Sequence, residues 1–278
     1  MDKLRFATAG IPLSTEKPNS VNGIKRVREL NLDAMEVEFV RSIYISKEKA
    51  PEIREIAKKE DVVLTCHSPY FINLNSSEKK KIYASINYIV QSCRIMSLCN
   101  GYSVCFHPGF YMKEDKGKVY ETITKNVKEI VKKVKEFDDK IWIRPETTGK
   151  ASAFGDYKEI IKMSKEVEQV MPCIDFSHVH ARSGGLYNTK KEFEDILALV
   201  EKDLGREALD NMHMHIAGIN YSEKGERNHL ELEKSDMNYK DLLRTFKEFK
   251  LKGVVVCESP NIEKDAKLLK DFYENLNR

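Results

Sequence analysis

No stretch of 18 apolar residues occurs in the 278-residue sequence, and the mean hydropathy is -0.51, so no segment reads as a membrane span. The N-terminus, MDKLRFATAGIPLS, lacks the long apolar segment of a secretory signal. Cys-x-x-Cys pairs are missing too, and the six cysteines are expected to be reduced thiols in a cytoplasmic protein. Neither a linker rich in proline, glycine or serine nor a low-complexity tract interrupts the chain. A single domain over residues 1–278 is therefore expected. A large excess of one charge is also lacking. Lys and Arg number 47 against 44 Asp and Glu, a net +3, and the pI near 8.3 lies below that of strongly basic nucleic-acid binders. The charge neither demands nor excludes DNA. The lysine-rich stretches 79–81 and 113–135 read as solvated helix faces.

What is present is enough apolar material, 41% of residues, for a full core. Short apolar runs alternate with longer stretches of helical period. Strands are expected at residues 5–9, 34–39, 62–66, 102–106, 140–144, 169–174, 211–217 and 253–257. Between them, spacings of three and four mark helices with one apolar face. Val119, Ile123, Val127, Ile130, Val131 and Val134 form one such stripe, and Phe193, Ile196, Leu197, Val200 and Leu204 another. Eight strand–helix units of about 35 residues each predict an α/β fold, a (β/α)8 TIM barrel.

The polar residues then become informative. None of the seven histidines falls within an apolar stripe. His67 ends VVLTCH, His107 ends YSVCFH, Glu146 ends KIWIRPE and Asp175 ends VMPCID. His178 follows three residues later, His215 lies in MHMHIAG and Glu258 ends VVVCE. In a (β/α)8 barrel these strand ends converge on one rim, where active sites form. Imidazoles and carboxylates crowded together are costly unless a cation neutralises them. The mixture suits zinc and permits manganese or iron. Cys105 shares a strand face with His107, and Cys173 with Asp175, so a thiolate ligand is open as well.

The segments CHSPYFINL, CFHPG, RPETTG, IDFSH, MHIAG and VVCESP together resemble endonuclease IV. That is the zinc-dependent apurinic/apyrimidinic endonuclease family of the xylose isomerase-like TIM barrels. The resemblance runs from about residue 4 to residue 275 and implies hydrolysis of double-stranded DNA 5′ to an abasic site by up to three zinc ions. It places His67, His107 and Glu146 on one ion, with Glu146 the catalytic bridge. Asp175, His215 and Glu258 share the second, and His178 holds a third with an acid and a histidine from the loop after strand seven. That loop departs from the family, whose Asp-Arg-His becomes Glu226-Arg227-Asn228-His229. Glu226 and His229 are expected to take over as ligands. The strand-three loop also differs, with Ser68-Pro69 where Asp-Ser is usual, as does the segment from His180 to Gly185.

The same resemblance places Tyr70 and Phe71 where a loop wedges into the duplex, a role aromatic side chains commonly serve. Arg41, Arg182 and Arg227 are candidate phosphate contacts. Two other readings use the same rim: a metal-dependent sugar isomerase or epimerase, and a protein that binds abasic DNA without cutting it.

Overall fold

The computed structural model describes residues 1–276. The strands are β1 (Leu4–Ala9), β2 (Ala34–Glu38), β3 (Val63–His67), β4 (Ser103–Phe106), β5 (Gly109–Phe110), β6 (Trp142–Pro145), β7 (Ala153–Phe154), β8 (Cys173–Asp175), β9 (Met212–Ile216), β10 (Gly218–Ser222), β11 (Gly225–Leu230) and β12 (Gly253–Cys257). Eight form one parallel sheet in the order β6-β4-β3-β2-β1-β12-β9-β8. Bridges from Ile143 to Val170 and from Glu146 to Cys173 join its two edges, giving the (β/α)8 barrel. The expected strand at 169–174 shortens to Cys173–Asp175. Gln169 takes φ 64° and Pro172 has no N–H for a ladder, so only Val170 pairs upstream.

The helices pack outside with the expected faces inward. Val119, Ile123, Val127, Ile130, Val131 and Val134 are all buried under the helix Lys116–Lys135, whose lysines point outward. Asp115 caps that helix at the Lys118 N–H, and full capping boxes start Tyr157–Glu166 (Asp156 with Glu159) and Lys190–Leu204 (Thr189 with Glu192). Among the described residues no helix is long and apolar enough to cross a membrane. All six cysteines are buried and free.

Buried charges at the N-terminal end of the barrel are held by hydrogen bonds and ion pairs. Arg144 is fully buried and donates to Pro172 O at 2.8 Å, to the Tyr102 hydroxyl at 3.1 Å and to Asn211 O. Asp33 lies between Lys270 Nζ at 2.8 Å and Lys3 Nζ at 3.0 Å. Burial opposes the Asp33 charge, but these two ammonium groups hold its carboxyl below the usual range. Two antiparallel pairs dress the other end: β5 with β7, and the β10–β11 hairpin.

Candidate metal centre

Glu146 sits at the middle of the C-terminal mouth and is fully buried. Its Oε2 lies 3.1 Å from His67 Nε2. Its Oε1 lies 3.4 Å from His107 Nε2, 3.3 Å from His178 Nδ1 and 3.3 Å from His215 Nδ1. Four imidazoles thus surround one carboxylate. Asp175 Oδ2 is 3.0 Å from His178 Nδ1, and Glu258 Oε1 is 3.4 Å from His215 Nδ1.

Backbone carbonyls aim several of these rings. A carbonyl only accepts, so the ring nitrogen facing it carries the proton. His67 Nδ1 donates to Ser68 O at 2.6 Å, His178 Nδ1 to Thr147 O at 3.0 Å and His229 Nδ1 to Glu258 O at 3.2 Å. Each Nε2 is thereby left for the mouth, as in metal-ligating histidines generally.

The divergent loop forms the hairpin, and its geometry follows from one bulge. Asn220 pairs with Asn228 and Tyr221 with Glu226, so Arg227 is the extra residue. Residues three apart on a regular strand face opposite sides, and one inserted residue returns them to the same side. Glu226 Oε2 lies 3.5 Å from His178 Nε2, and the His229 ring lies 5.7 Å from the His178 ring. Asn228 is exposed, with its amide donating to His229 O. Gly149 makes room for this approach. A Cβ there would come within 2.6 Å of Glu226 Cβ and 3.0 Å of His178 Cδ2.

Donor atoms in several groups fall within 4.8 Å of one another: Glu146, Asp175, His215 and Glu258; Asp175, His178, His229 and Glu258; His107, Glu146 and His178. The residues fit a multivalent cation on two counts. The set is imidazole and carboxylate, and many of its atoms have no aligned hydrogen-bond partner. Glu146 Oε1, Asp175 Oδ2, Glu258 Oε2, His215 Nδ1 and His229 Nε2 are all buried and unpartnered. They lie close together without hydrogen bonds between them, as Glu146 Oε1 does at 3.3 Å from His215 Nδ1.

Burial opposes protonation of His67, but the Glu146 carboxylate outweighs it and pushes the ring up to about 10. His178 is raised by Asp175 and Glu146 despite its burial. Burial acts against His215 as well, yet Cys173, Glu258 and Glu36 raise it well above the usual imidazole range. Burial raises Glu258, and the neighbouring Glu146 and Asp175 add to this. His229 is lowered by burial and by the charge on His178.

Two carboxylates and a histidine join this end without having been recognised as site residues. Glu36, Glu38 and His213 lie on strands that read as apolar runs, but the alternation in AMEVE and MHMH turns these side chains into the barrel. Glu38 has both oxygens buried and unpartnered, and burial together with Glu36 raises its carboxyl to about 7. His178 and His180 lie in a short helix, Phe176–Arg182, rather than in an open loop. His180 is tied to Leu186 O and Asp236 and stands outside the cluster.

The candidate DNA contacts divide. Tyr70 is exposed, with its ring 4.9 Å from His67 and 6.3 Å from His107. Phe71 is exposed and packs edge-on against Tyr88. Arg41 and Arg227 are exposed. Arg182, a candidate phosphate contact from the sequence, is engaged with the chain through Nη1. Its Nη1 donates to Thr148 Oγ1 at 3.1 Å, to Ala153 O at 3.0 Å and to Lys150 O, so it straps down the loop after β6.

Residues 24–276 match the model of the xylose isomerase-like TIM barrel family. The chain belongs to that family. An uncharacterized protein of Methanocaldococcus jannaschii is 42% identical to this xylose isomerase-like barrel over 98% of both chains. A probable endonuclease 4 of Mycoplasmopsis pulmonis is 29% identical over 46% of each. Among solved structures, a D-tagatose 3-epimerase-like protein superposes with a TM-score of 0.76 at 18% identity, over 98% of both chains. Endonuclease IV from Thermus thermophilus gives 0.74 at 14% identity, over 97% of this chain and 99% of that one. The family thus has both endonuclease IV and sugar epimerase neighbours, and at these identities the structural likeness establishes the barrel.

Proposed function

We propose that this chain is a metal-dependent phosphodiesterase that cleaves double-stranded DNA 5′ to abasic sites. The arrangement of four imidazoles around the single carboxylate of Glu146 carries this reading. With Asp175, Glu226, His229 and Glu258 these donors exceed what one four-coordinate ion takes, whereas a multinuclear centre would use them. His67, His107 and Glu146 would hold one ion, Glu146, Asp175, His215 and Glu258 a second, and His178, Glu226 and His229 a third. Such ions, zinc by the donor set, supply positive charge that acidifies water and neutralises charge building on phosphoryl and leaving oxygens. Glu146, within reach of all four imidazoles, would serve more than one ion and supply negative charge to each. Tyr70 offers an aromatic face beside His67 and His107 for an extruded or unstacked nucleotide. Phe71, braced by Tyr88, stands as the wedge, and Arg41 and Arg227 meet backbone phosphates. Arg182 contributes by holding the Thr148–Ala153 loop in place.

Metal analysis coupled to incubation with an abasic-site duplex tests this. Chelator-sensitive incision leaving a 3′ hydroxyl that a polymerase extends is expected. Tight binding without incision in zinc-replete buffer would make the chain a lesion-binding protein instead.

A second reading draws on the carboxylate-rich group Glu146, Asp175, His215 and Glu258, which is a sufficient single-ion site, with Glu38 close by. On this reading the chain epimerises a sugar, and His67 and His107 are dispensable. Ketose interconversion that survives His67→Ala, with no incision of DNA, selects it.

A further inference from the structure

His215 is held differently from its neighbours. His67, His178 and His229 are oriented by backbone carbonyls. His215 turns Nδ1 to the mouth and Nε2 down into the barrel, where side chains meet it. Glu36 Oε1 lies 2.9 Å from Nε2, an electrostatic contact without an aligned hydrogen bond, and His213 Nε2 lies 3.2 Å away. His213 Nε2 is in turn 3.0 Å from Glu36 Oε2, while its Nδ1 is 2.9 Å from Ser103 Oγ. The Cys105 thiol donates to Glu36 Oε2 at 3.7 Å. All of these side chains are buried without measurable exposure.

We propose that Glu36, backed by His213 and Ser103, is a positioning residue that keeps the proton of His215 on Nε2 and presents Nδ1 as a bare ligand to the metal centre. The inference rests on reading the mouth as a metal centre and is independent of the substrate. A carboxylate has no proton to give, so the ring nitrogen beside it carries one. Its charge also makes the opposite nitrogen a better donor, as carboxylate–histidine–metal arrangements do. His213 cannot swing away, because Ser103 holds its far side. A buried carboxylate this deep is costly alone, and the two imidazoles together with cations above it supply the compensation.

The same pocket admits another use. Cys105, Cys173, His213 and His215 have donor atoms within 4.8 Å of one another, the makings of a separate ion site. The Glu36 carboxylate already touches both Nε2 atoms there, which favours the brace.

The test uses the full-length protein stripped with chelator and reloaded with cobalt(II), then with zinc in competition with a chromophoric chelator. Glu36→Gln should weaken the affinity of the ion on His215 by about 10- to 100-fold and shift the cobalt d–d bands, with the ion count at saturation unchanged. His213→Asn, which spares Glu36 itself, should give a smaller loss in the same direction and keeps the test open if Glu36→Gln does not fold. Cys173→Ser should retain every ion. Folded Glu36→Gln and His213→Asn proteins with parental affinity and parental cobalt spectra would overturn the proposal. So would loss of a whole ion from Cys173→Ser, since the pocket would then be a metal site. A parent protein that binds no divalent ion would refute the metal-centre reading itself, a failure visible before any variant is made.

Discussion

The two ends of this barrel solve the problem of buried charge in opposite ways. At the N-terminal end the buried charges find protein partners: Asp33 lies between Lys3 and Lys270, and Arg144 donates to Pro172, Tyr102 and Asn211, with only its Nε left over. At the C-terminal end Glu146, Asp175, Glu258 and Glu38 bury oxygens with no aligned donor. Unsatisfied buried polar atoms are rare in native proteins because each costs roughly 1–3 kcal/mol. Most of the unpartnered carboxylate oxygens gather at this mouth, the pattern expected where a cation completes the site.

The largest test of that contrast is at Glu146. Glu146→Gln should reduce incision by on the order of a thousandfold, and more than His67→Ala does, since it removes charge from two ions at once. Unfolding of the chelated protein should change far less than unfolding of the metal-loaded one, as denaturant titrations with and without metal would report. The opposite end should behave in the reverse manner. Asp33→Ala leaves the Lys270 ammonium buried without its carboxylate and should cost about 3 kcal/mol, with or without metal. A metal-dependent loss at Asp33, or a metal-independent one at Glu146, would erase the distinction.

Acidity sharpens it further. His67, raised to about 10, and the likewise raised His178 and His215 carry protons at neutral pH in the metal-free chain. Because a cation must displace them, binding releases protons and affinity falls as pH is lowered, by about tenfold per pH unit for each proton. Calorimetry in buffers of differing ionisation heat counts those protons, and a buffer-independent heat would contradict the scheme. At the N-terminal end acidification also costs, but it costs folding stability rather than metal affinity. Asp33 is depressed, so its contribution is present above the unfolded carboxyl pKa and is lost as pH falls through the lower folded value.

The smallest effects concern the hairpin. His229→Ala should lose one ion, and Asn228→Ala none, by elemental analysis. Deleting Arg227 should act like His229→Ala, because a regular strand would turn residue 229 away from the mouth.

The strand ends were legible because two signals coincide there: an apolar run of β-branched residues stops, and a histidine or acid follows at once. His67, His107, Glu146, Asp175 and Glu258 all carry that signature. Glu36, Glu38 and His213 do not, since they alternate within a strand where both faces of a parallel sheet are buried and periodicity loses its meaning. The helix Ser20–Glu29 follows from the eightfold alternation, although with only Gly23, Ile24 and Val27 buried it shows no apolar stripe of its own. Nothing local to Arg182 announces that the carbonyls of Lys150 and Ala153 gather around its Nη1.

The bulge at Arg227 bears on how chains of this kind are compared. Aligned letter by letter, this loop and the Asp-Arg-His loop it resembles are out of step by one, and the histidine of one falls on the asparagine of the other. A strand that absorbs a residue by buckling lets the letters slide while the atoms stay on the same side. Positional identity is therefore the wrong measure at this loop. Relatives that seem to lack the histidine are better compared by which way their hairpin faces than by what stands in the matching column.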